Sequence, residues 1–123
     1  MTAAVETALA YHRAWTSGDL GTAWRLLADD IECLTPAGRL VGIEAVKGFM
    51  GPFAASLTTS QLLAAHGDEQ EALLMYDAGN PAVTSAPAAE LCTVRDGQIV
   101  AIRIIFDRLP FALARGEVLP VSR

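Results

Sequence analysis

The sequence lacks the features that mark several common functional classes. It has only two cysteines, and neither has a nearby Cys or His at metal-ligand spacing. No apolar run reaches the roughly 18 residues of a membrane span, and no glycine-rich phosphate loop is present. The 9 basic residues are scattered and outnumbered by 14 acidic ones. These absences argue against a metal site, a nucleotide or flavin cofactor, a nucleic-acid partner and a membrane partner.

The chain is rich in apolar side chains. Its 123 residues are 52% hydrophobic, which predicts one globular domain, 1–123, with a single core. The mean hydropathy is +0.34, and without a membrane span this value favours a lined cavity or a buried subunit interface; we expect both. The first basic residue, Arg13, follows an amphipathic stretch, which is not the order of a secretory signal. We therefore expect a cytoplasmic protein.

The two cysteines, Cys33 and Cys92, each lie in a predicted apolar strand, far apart in the sequence. Reduced cysteine behaves as a small hydrophobic residue, so we expect two buried free thiols. A disulfide between them stays open as the alternative.

Apolar periodicity predicts an α+β domain. The order α-α-β-β-α-β-β-β-β is typical of a curved antiparallel (mixed) sheet that wraps around helices as a cone. The predicted helices are 3–16, Leu20–Ala28 and Ile43–Ala54, and the predicted strands are Ile31–Thr35, Arg39–Val41, Leu57–His66, Gln70–Ala78 and a hairpin over 89–107.

The final hairpin carries a carboxylate, Glu90, on an otherwise apolar strand. If the turn is the two-residue loop Asp96-Gly97, Glu90 faces Arg103 in an ordinary cross-strand salt bridge. If the loop is Arg95-Asp96-Gly97, the register slips by one residue, and Glu90 points at Ile102 and into the cone. Only the second register makes Glu90 a candidate site residue.

A family resemblance is carried by three stretches, YHRAWTSGDLGTAWRLLADDIECLTPAG, GIEAVKGFM and VRDGQIVAIRIIFD. From its first helix to Asp107, the chain resembles the SnoaL-like and ketosteroid-isomerase-like branch of the nuclear transport factor 2 (NTF2-like) superfamily. The resemblance implies a cone-shaped, cystatin-like roll. Members include isomerases, polyketide cyclases, epoxide hydrolases, dehydratases and proteins that only bind, so the fold does not determine the reaction.

The resemblance also implies roles for individual residues. Tyr11, seven residues before Gly18-Asp19-Leu20, matches the tyrosine that donates a hydrogen bond in steroid isomerases. Glu90 matches the second donor, a carboxylic acid kept protonated by apolar surroundings, if the three-residue loop is used, and the resemblance favours that loop. The isomerase base corresponds to Thr35, which cannot abstract a carbon-bound proton, and the epoxide-hydrolase aspartate corresponds to Ile104.

Asp77 is a further candidate for the base, on the condition that the strand face it shares with Leu73 and Met75 lines the cavity. A carboxylate that caps the entry to a loop is the alternative for Asp77. For Tyr11 and His12, the alternative is a packed core or interface position. The other residues expected to line the pocket are His12, Trp15, Thr35, Phe49, Phe53, Cys92, Ile102, Ile104 and Phe106.

Three functions remain open. The first is a cofactor-independent isomerase, cyclase, hydrolase or lyase in which Tyr11 and Glu90 act on an oxygen of a small hydrophobic ligand. The second is a non-catalytic binding or accessory domain, and the third is a dimerisation module whose cavity is filled by its own side chains. A homodimer is expected through the outer sheet face, which carries Leu91, Thr93, Ala101, Arg103 and Ile105.

Overall fold

The computed structural model describes residues 3–119 and 121, which form four helices and one six-stranded sheet. The helices are α1 (Ala3–Thr16), α2 (Leu20–Arg25), α3 (Ile43–Ser56) and α4 (Leu109–Ala114). The strands are β1 (Leu27–Thr35), β2 (Gly38–Val41), β3 (Thr59–Gly67), β4 (Glu71–Gly79), β5 (Ala86–Arg95) and β6 (Gln98–Phe106). No helix in this part of the chain is both long enough and apolar enough to cross a membrane.

The strands are arranged in the order β2-β1-β6-β5-β4-β3. All neighbours run antiparallel except β1 and β6, which are parallel. The sheet curves around the N-terminal helices, and α1 buries the stripe that contains Tyr11, His12 and Trp15. The predicted α+β cone is therefore confirmed.

The end of α2 differs from the prediction. Asp19 caps the start of this helix, where its carboxylate accepts a hydrogen bond from the Thr22 amide. The helix ends at Arg25 rather than Ala28. Leu27 is already paired with Ile99 across the parallel ladder, and the Ile99 amide donates to the Leu26 carbonyl. Pairing with a strand distant in sequence overrides the local helical pattern.

Helix α4 is absent from the sequence-based prediction. Its start carries two local signals: Asp107 accepts a hydrogen bond from the Leu109 amide, and Pro110 lies in the first turn. The helix is held in place by Phe111, whose ring centroid lies 5.9 Å from that of Phe53 and 5.6 Å from that of Phe106.

The β5–β6 hairpin turns on two residues, not three. Asp96 and Gly97 both have positive φ angles, 51° and 75°, which is the conformation of a type I′ turn. Further from the turn, Thr93 pairs with Ala101 whereas Val94 pairs with Ile99, so Val100 is an extra residue in β6. The strand therefore contains a β-bulge.

The bulge decides which β6 side chain lies beside Glu90. It shifts the register by one residue, so that Glu90 pairs with Ile104 and Arg103 pairs with Leu91. The predicted three-residue loop, and with it the pairing of Glu90 with Ile102, was wrong. The prediction that Glu90 faces the cone interior is confirmed, because it alternates with the buried Cys92 and Val94 on β5, and the bulge brings Ile104 to the same face.

The turn conformation predicts the effect of two glycine substitutions. Gly97→Ala should destabilise the protein by about 1 kcal/mol, since a Cβ there meets no atom within 4 Å but the left-handed backbone is strained for alanine. Gly48→Ala, in the open interior of α3, is the matched control and should stabilise by up to about 1 kcal/mol. Urea unfolding of both variants tests this pair, and a neutral Gly97→Ala would contradict the strained turn.

Candidate active site

The inner face of the sheet and two helices line an open cavity of about 490 Å³. Its wall is formed by α3, α4, parts of β4, β5 and β6, and the loop between β4 and β5. Four of the predicted pocket residues lie on this wall, namely Phe49, Phe53, Ile104 and Phe106. The volume is within the usual range for small-molecule sites.

The β4–β5 loop is fixed at its start by Asn80. The Oδ1 atom of this side chain accepts hydrogen bonds from the amides of Ala82 and Val83, while its Nδ2 donates to the Ser56 hydroxyl at the end of α3. All four residues line the cavity. One side chain therefore joins two parts of the wall that are distant in sequence.

The inner end of the cavity is formed by Tyr76, which sequence reasoning missed. Tyr76 lies on the buried side of β4 and lines the cavity although it is only 3% exposed. Its ring centroid lies 4.8 Å from that of His12 and 5.5 Å from that of Trp15. The alternation of side chains along β4 could have identified Tyr76, because it places Leu74 and Tyr76 together on the face opposite Met75.

Behind Tyr76 lies a buried polar cluster, which comprises Tyr11, His12, Trp15 and Glu90. Each of these residues is at most 3% exposed. Four side-chain atoms have no hydrogen-bond partner among the described residues: Tyr11 Oη, His12 Nδ1, Trp15 Nε1 and Glu90 Oε2. Buried polar groups are nearly always paired, so a concentration of unpaired atoms points to a bound water or ligand group.

Burial raises the pKa of Glu90 from 4.5 to about 7, although a hydrogen bond with Tyr76 opposes this shift. Burial also raises the pKa values of Tyr11 and Tyr76 well above 10.0, and the nearby Glu90 carboxylate adds to both shifts. Both phenols therefore stay protonated at neutral pH. Glu90 can lose or accept a proton in that range.

The other titratable groups nearby are neutral at pH 7. Burial lowers the pKa of His12 from 6.5 to about 4, with a smaller contribution from Arg13. Burial raises the pKa of Cys33 to about 12 and that of Cys92 well above 9.0, and Glu90 adds to both. The two thiols are free and buried, as predicted. Among residues 3–119 and 121, no group of three or more His, Cys, Asp or Glu could hold a metal ion.

Several predicted pocket residues do not lie on the cavity wall. His12, Trp15, Cys92 and Ile102 are packed deeper in the core, as are Tyr11 and Glu90. They do not line the cavity as predicted: Tyr76 and Ile104, their neighbours on the inner face of the sheet, line it instead. Tyr76, which contacts His12, Trp15 and Glu90, connects the polar cluster with the cavity.

Thr35 and Asp77 are occupied elsewhere. The Thr35 hydroxyl donates to the Gly38 carbonyl and accepts from the Ala37 amide, so it closes the β1–β2 turn instead of lining the pocket. Asp77 lies on the outer side of β4 and accepts hydrogen bonds from the Ser85 hydroxyl and the Ala86 amide. Asp77 was a candidate base only if the strand face it shares with Leu73 and Met75 lined the cavity. That condition is not met, because this face is the exposed one.

The sequence matches a known domain family over most of its length. The model of the SnoaL-like domain matches residues 8–102, which is more than half of the chain. The chain belongs to the SnoaL-like domain family. A comparison with curated proteins gives no match.

Solved structures share the fold of this SnoaL-like chain. A crystal structure of a protein from Kribbella flavida is 54% identical, with a TM-score of 0.91, and the match covers 95% of this chain and 97% of that one. An NTF2-like protein of unknown function from Cytophaga hutchinsonii is 17% identical, with a TM-score of 0.77 over 90% and 96% of the two chains. A candidate polyketide cyclase from Sinorhizobium meliloti is 18% identical, with a TM-score of 0.69 over 80% and 93%. The last two matches show the shared fold alone.

The shifted pKa of Glu90 predicts a pH-dependent effect of Glu90→Gln on stability. The folded state holds the proton more tightly than the unfolded chain, so the stability from protonated Glu90 is present below pH 4.5 and is lost as the pH rises toward about 7. Relative to wild type, Glu90→Gln should therefore gain about 3 kcal/mol between pH 4.5 and pH 8. Urea unfolding at both pH values measures this gain.

His12 also makes the stability of the protein depend on pH, so wild type and Glu90→Gln must be compared at each pH. Its lowered pKa gives stability above pH 6.5 that is lost as the pH falls toward about 4, which is the opposite trend. Wild type and Glu90→Gln share this contribution, so it cancels in their difference. Glu6→Gln, on the exposed side of α1, is the matched control. A pH-independent difference between wild type and Glu90→Gln would contradict the raised pKa.

Proposed function

We propose that this SnoaL-like protein binds a small hydrophobic molecule in the cavity, with an oxygen of the ligand directed at Tyr76 and the polar cluster behind it. The observation that carries the proposal is the group of four unpaired buried polar atoms next to an apolar cavity. Leaving such atoms without partners costs about 1–3 kcal/mol each. A ligand oxygen, alone or through a water, would recover part of this free energy.

The cluster suits a ligand carbonyl or hydroxyl because it presents neutral donors. The Tyr76 hydroxyl is the group on the cavity wall; when Glu90 is protonated it can donate to the Tyr76 oxygen, which frees the Tyr76 proton for a ligand oxygen. In apolar surroundings, these donors polarise a carbonyl more strongly than water does. With a pKa of about 7, Glu90 could also exchange a proton with the ligand through the Tyr76 hydroxyl, which passes one proton on as it receives another. This chemistry is compatible with an isomerase, cyclase or lyase reaction.

Non-catalytic binding is the second candidate, and the positions of the expected bases favour it. Thr35 and Asp77 are both engaged in turns, and the described cavity wall contains no Asp or Glu. Catalysis would therefore depend on Glu90 as both acid and base. The dimerisation-module hypothesis loses support, because aromatic side chains line the cavity without filling it.

Binding of a matched pair of probes tests the proposal. 2-Naphthol and 2-methylnaphthalene have similar shapes, and only the first has an oxygen. Wild type should bind 2-naphthol more tightly, and Tyr76→Phe should reduce this preference about threefold to tenfold, the value of one neutral hydrogen bond. Binding is measured by NMR titration.

Glu90→Gln should also reduce the preference for 2-naphthol, because it alters the partner of Tyr76. Glu6→Gln, the same chemical change on the exposed side of α1, should leave it unchanged. Equal binding of both probes by wild type, or an unchanged preference in Tyr76→Phe, would reject the polar cluster as the oxygen-binding end.

Localisation in the cytoplasm stays a prediction.

We also propose that the outer sheet face pairs with a second copy of the chain. Its centre is aliphatic, and Ile105 is 65% exposed. Leu73 lies beside Leu91, which in turn lies beside Arg103. The face also carries the acidic Glu71 on β4, so it presents both signs of charge. A self-pairing surface needs this combination, because two-fold symmetry brings each patch against its own copy.

Ile105→Glu should convert a dimer into a monomer, since it would bury a charge at the centre of the interface. Leu113→Glu places the same charge on an exposed apolar position of α4, away from this face, and is the control. Sedimentation velocity measures both variants. A wild-type monomer at micromolar concentration would contradict the proposed dimer.

A further inference from the structure

The charged groups on the cavity wall are all of one sign. Among the described lining residues, only Arg108 and Arg115 are charged. The chain as a whole has 14 acidic and 9 basic residues, so a wall with two arginines and no carboxylate is the reverse of the overall composition. The remainder of the wall is mostly apolar, with polar groups at Ser56, Tyr76 and Asn80.

Helix α4 positions the two arginines. Arg108 precedes its first residue, and Arg115 follows its last one. Seven positions separate them, which places both on the same side of a helix, about 10 Å apart along its axis. Phe111 lies between them and packs against Phe53 and Phe106, so this side of α4 is turned toward the cavity.

The guanidinium groups of Arg108 and Arg115 differ in whether a salt bridge within the protein already occupies them. Arg115 forms an ion pair with Glu117, with Nε and Oε1 2.7 Å apart, whereas none of the salt bridges within the described residues includes Arg108. The neighbouring Asp107 uses one carboxylate oxygen to accept a hydrogen bond from the Leu109 amide. The Arg115 pair is half-exposed and weak, so a ligand anion could replace Glu117 at little cost.

We infer that the ligand is amphipathic and carries a carboxylate or another acidic group, which Arg108 binds at the mouth of the cavity with help from Arg115. This inference rests on the proposed function, since it requires a ligand whose apolar body occupies the cavity. Arginine suits this role because its planar guanidinium can donate two parallel hydrogen bonds to a carboxylate. The acidic group then lies at the mouth, and a neutral oxygen lies at the inner end near Tyr76.

The test uses two probes of nearly the same shape, the anion 6-hydroxy-2-naphthoate and the neutral 6-hydroxy-2-naphthamide. Wild type should bind the carboxylate more tightly, and the difference should shrink at high salt. Arg108→Gln should weaken the binding of 6-hydroxy-2-naphthoate about tenfold, because it removes one charge-assisted hydrogen bond. The binding of 6-hydroxy-2-naphthamide should stay unchanged. Arg108→Lys should restore part of the loss, and Arg115→Gln should have a smaller effect.

Arg25→Gln, at the end of α2 and away from the cavity wall, is the matched control and should change neither affinity. Equal affinity of wild type for both probes, or an equal loss of both in Arg108→Gln, would overturn the inference. The proposed function is tested separately with a third probe, 2-naphthamide, which lacks the 6-hydroxyl group. That function fails if wild type binds neither of the first two probes. It also fails if Tyr76→Phe leaves the preference for 6-hydroxy-2-naphthamide over 2-naphthamide unchanged.

Discussion

The register between β5 and β6 is the constraint on which the candidate site depends. Val100, the extra residue in β6, shifts the pairing so that Glu90 lies opposite Ile104 inside the cone. Side chains alternate across a strand, so without the bulge Glu90 would face Arg103. Glu90 shares a buried face of β5 with Cys92 and Val94, so Arg103 would then be brought into the core beside it and would hold it ionised. One extra residue in β6 therefore determines whether the buried acid lies beside an aliphatic side chain or a cation.

The polar cluster is costly for a chain of this size. Four buried polar atoms lack partners within the part of the chain that the structure describes, while the net stability of a small domain is only about 5–15 kcal/mol. Much of the core around the cluster is apolar and closely packed, with α1, β4, β5 and β6 all contributing buried side chains. Such a cost is typical of functional sites, where stability is exchanged for groups held ready for a ligand.

Aromatic contacts connect the cluster to the mouth of the cavity. Trp15 contacts Phe53, Phe53 contacts Phe111, and Phe111 contacts Phe106. These contacts join α1, α3, α4 and β6, so the helix that carries the rim arginines is packed on the same aromatic side chains that line the pocket. Similar folds occur in proteins of quite different sequence, so any specificity of this chain must lie in these side chains and not in the cone itself.

The sequence by itself determined the elements whose patterns are local. The 3.6-residue stripe of α1 placed Tyr11, His12 and Trp15 together, and the strand alternation and family resemblance identified the α+β cone. Only the tertiary structure decided the bulge at Val100, the parallel pairing that ends α2, the place of Tyr76 at the inner end of the cavity and the packing of α4 over its mouth. These features depend on contacts between residues distant in sequence, whose free energies outweigh local propensity and leave little trace in any short window of the chain.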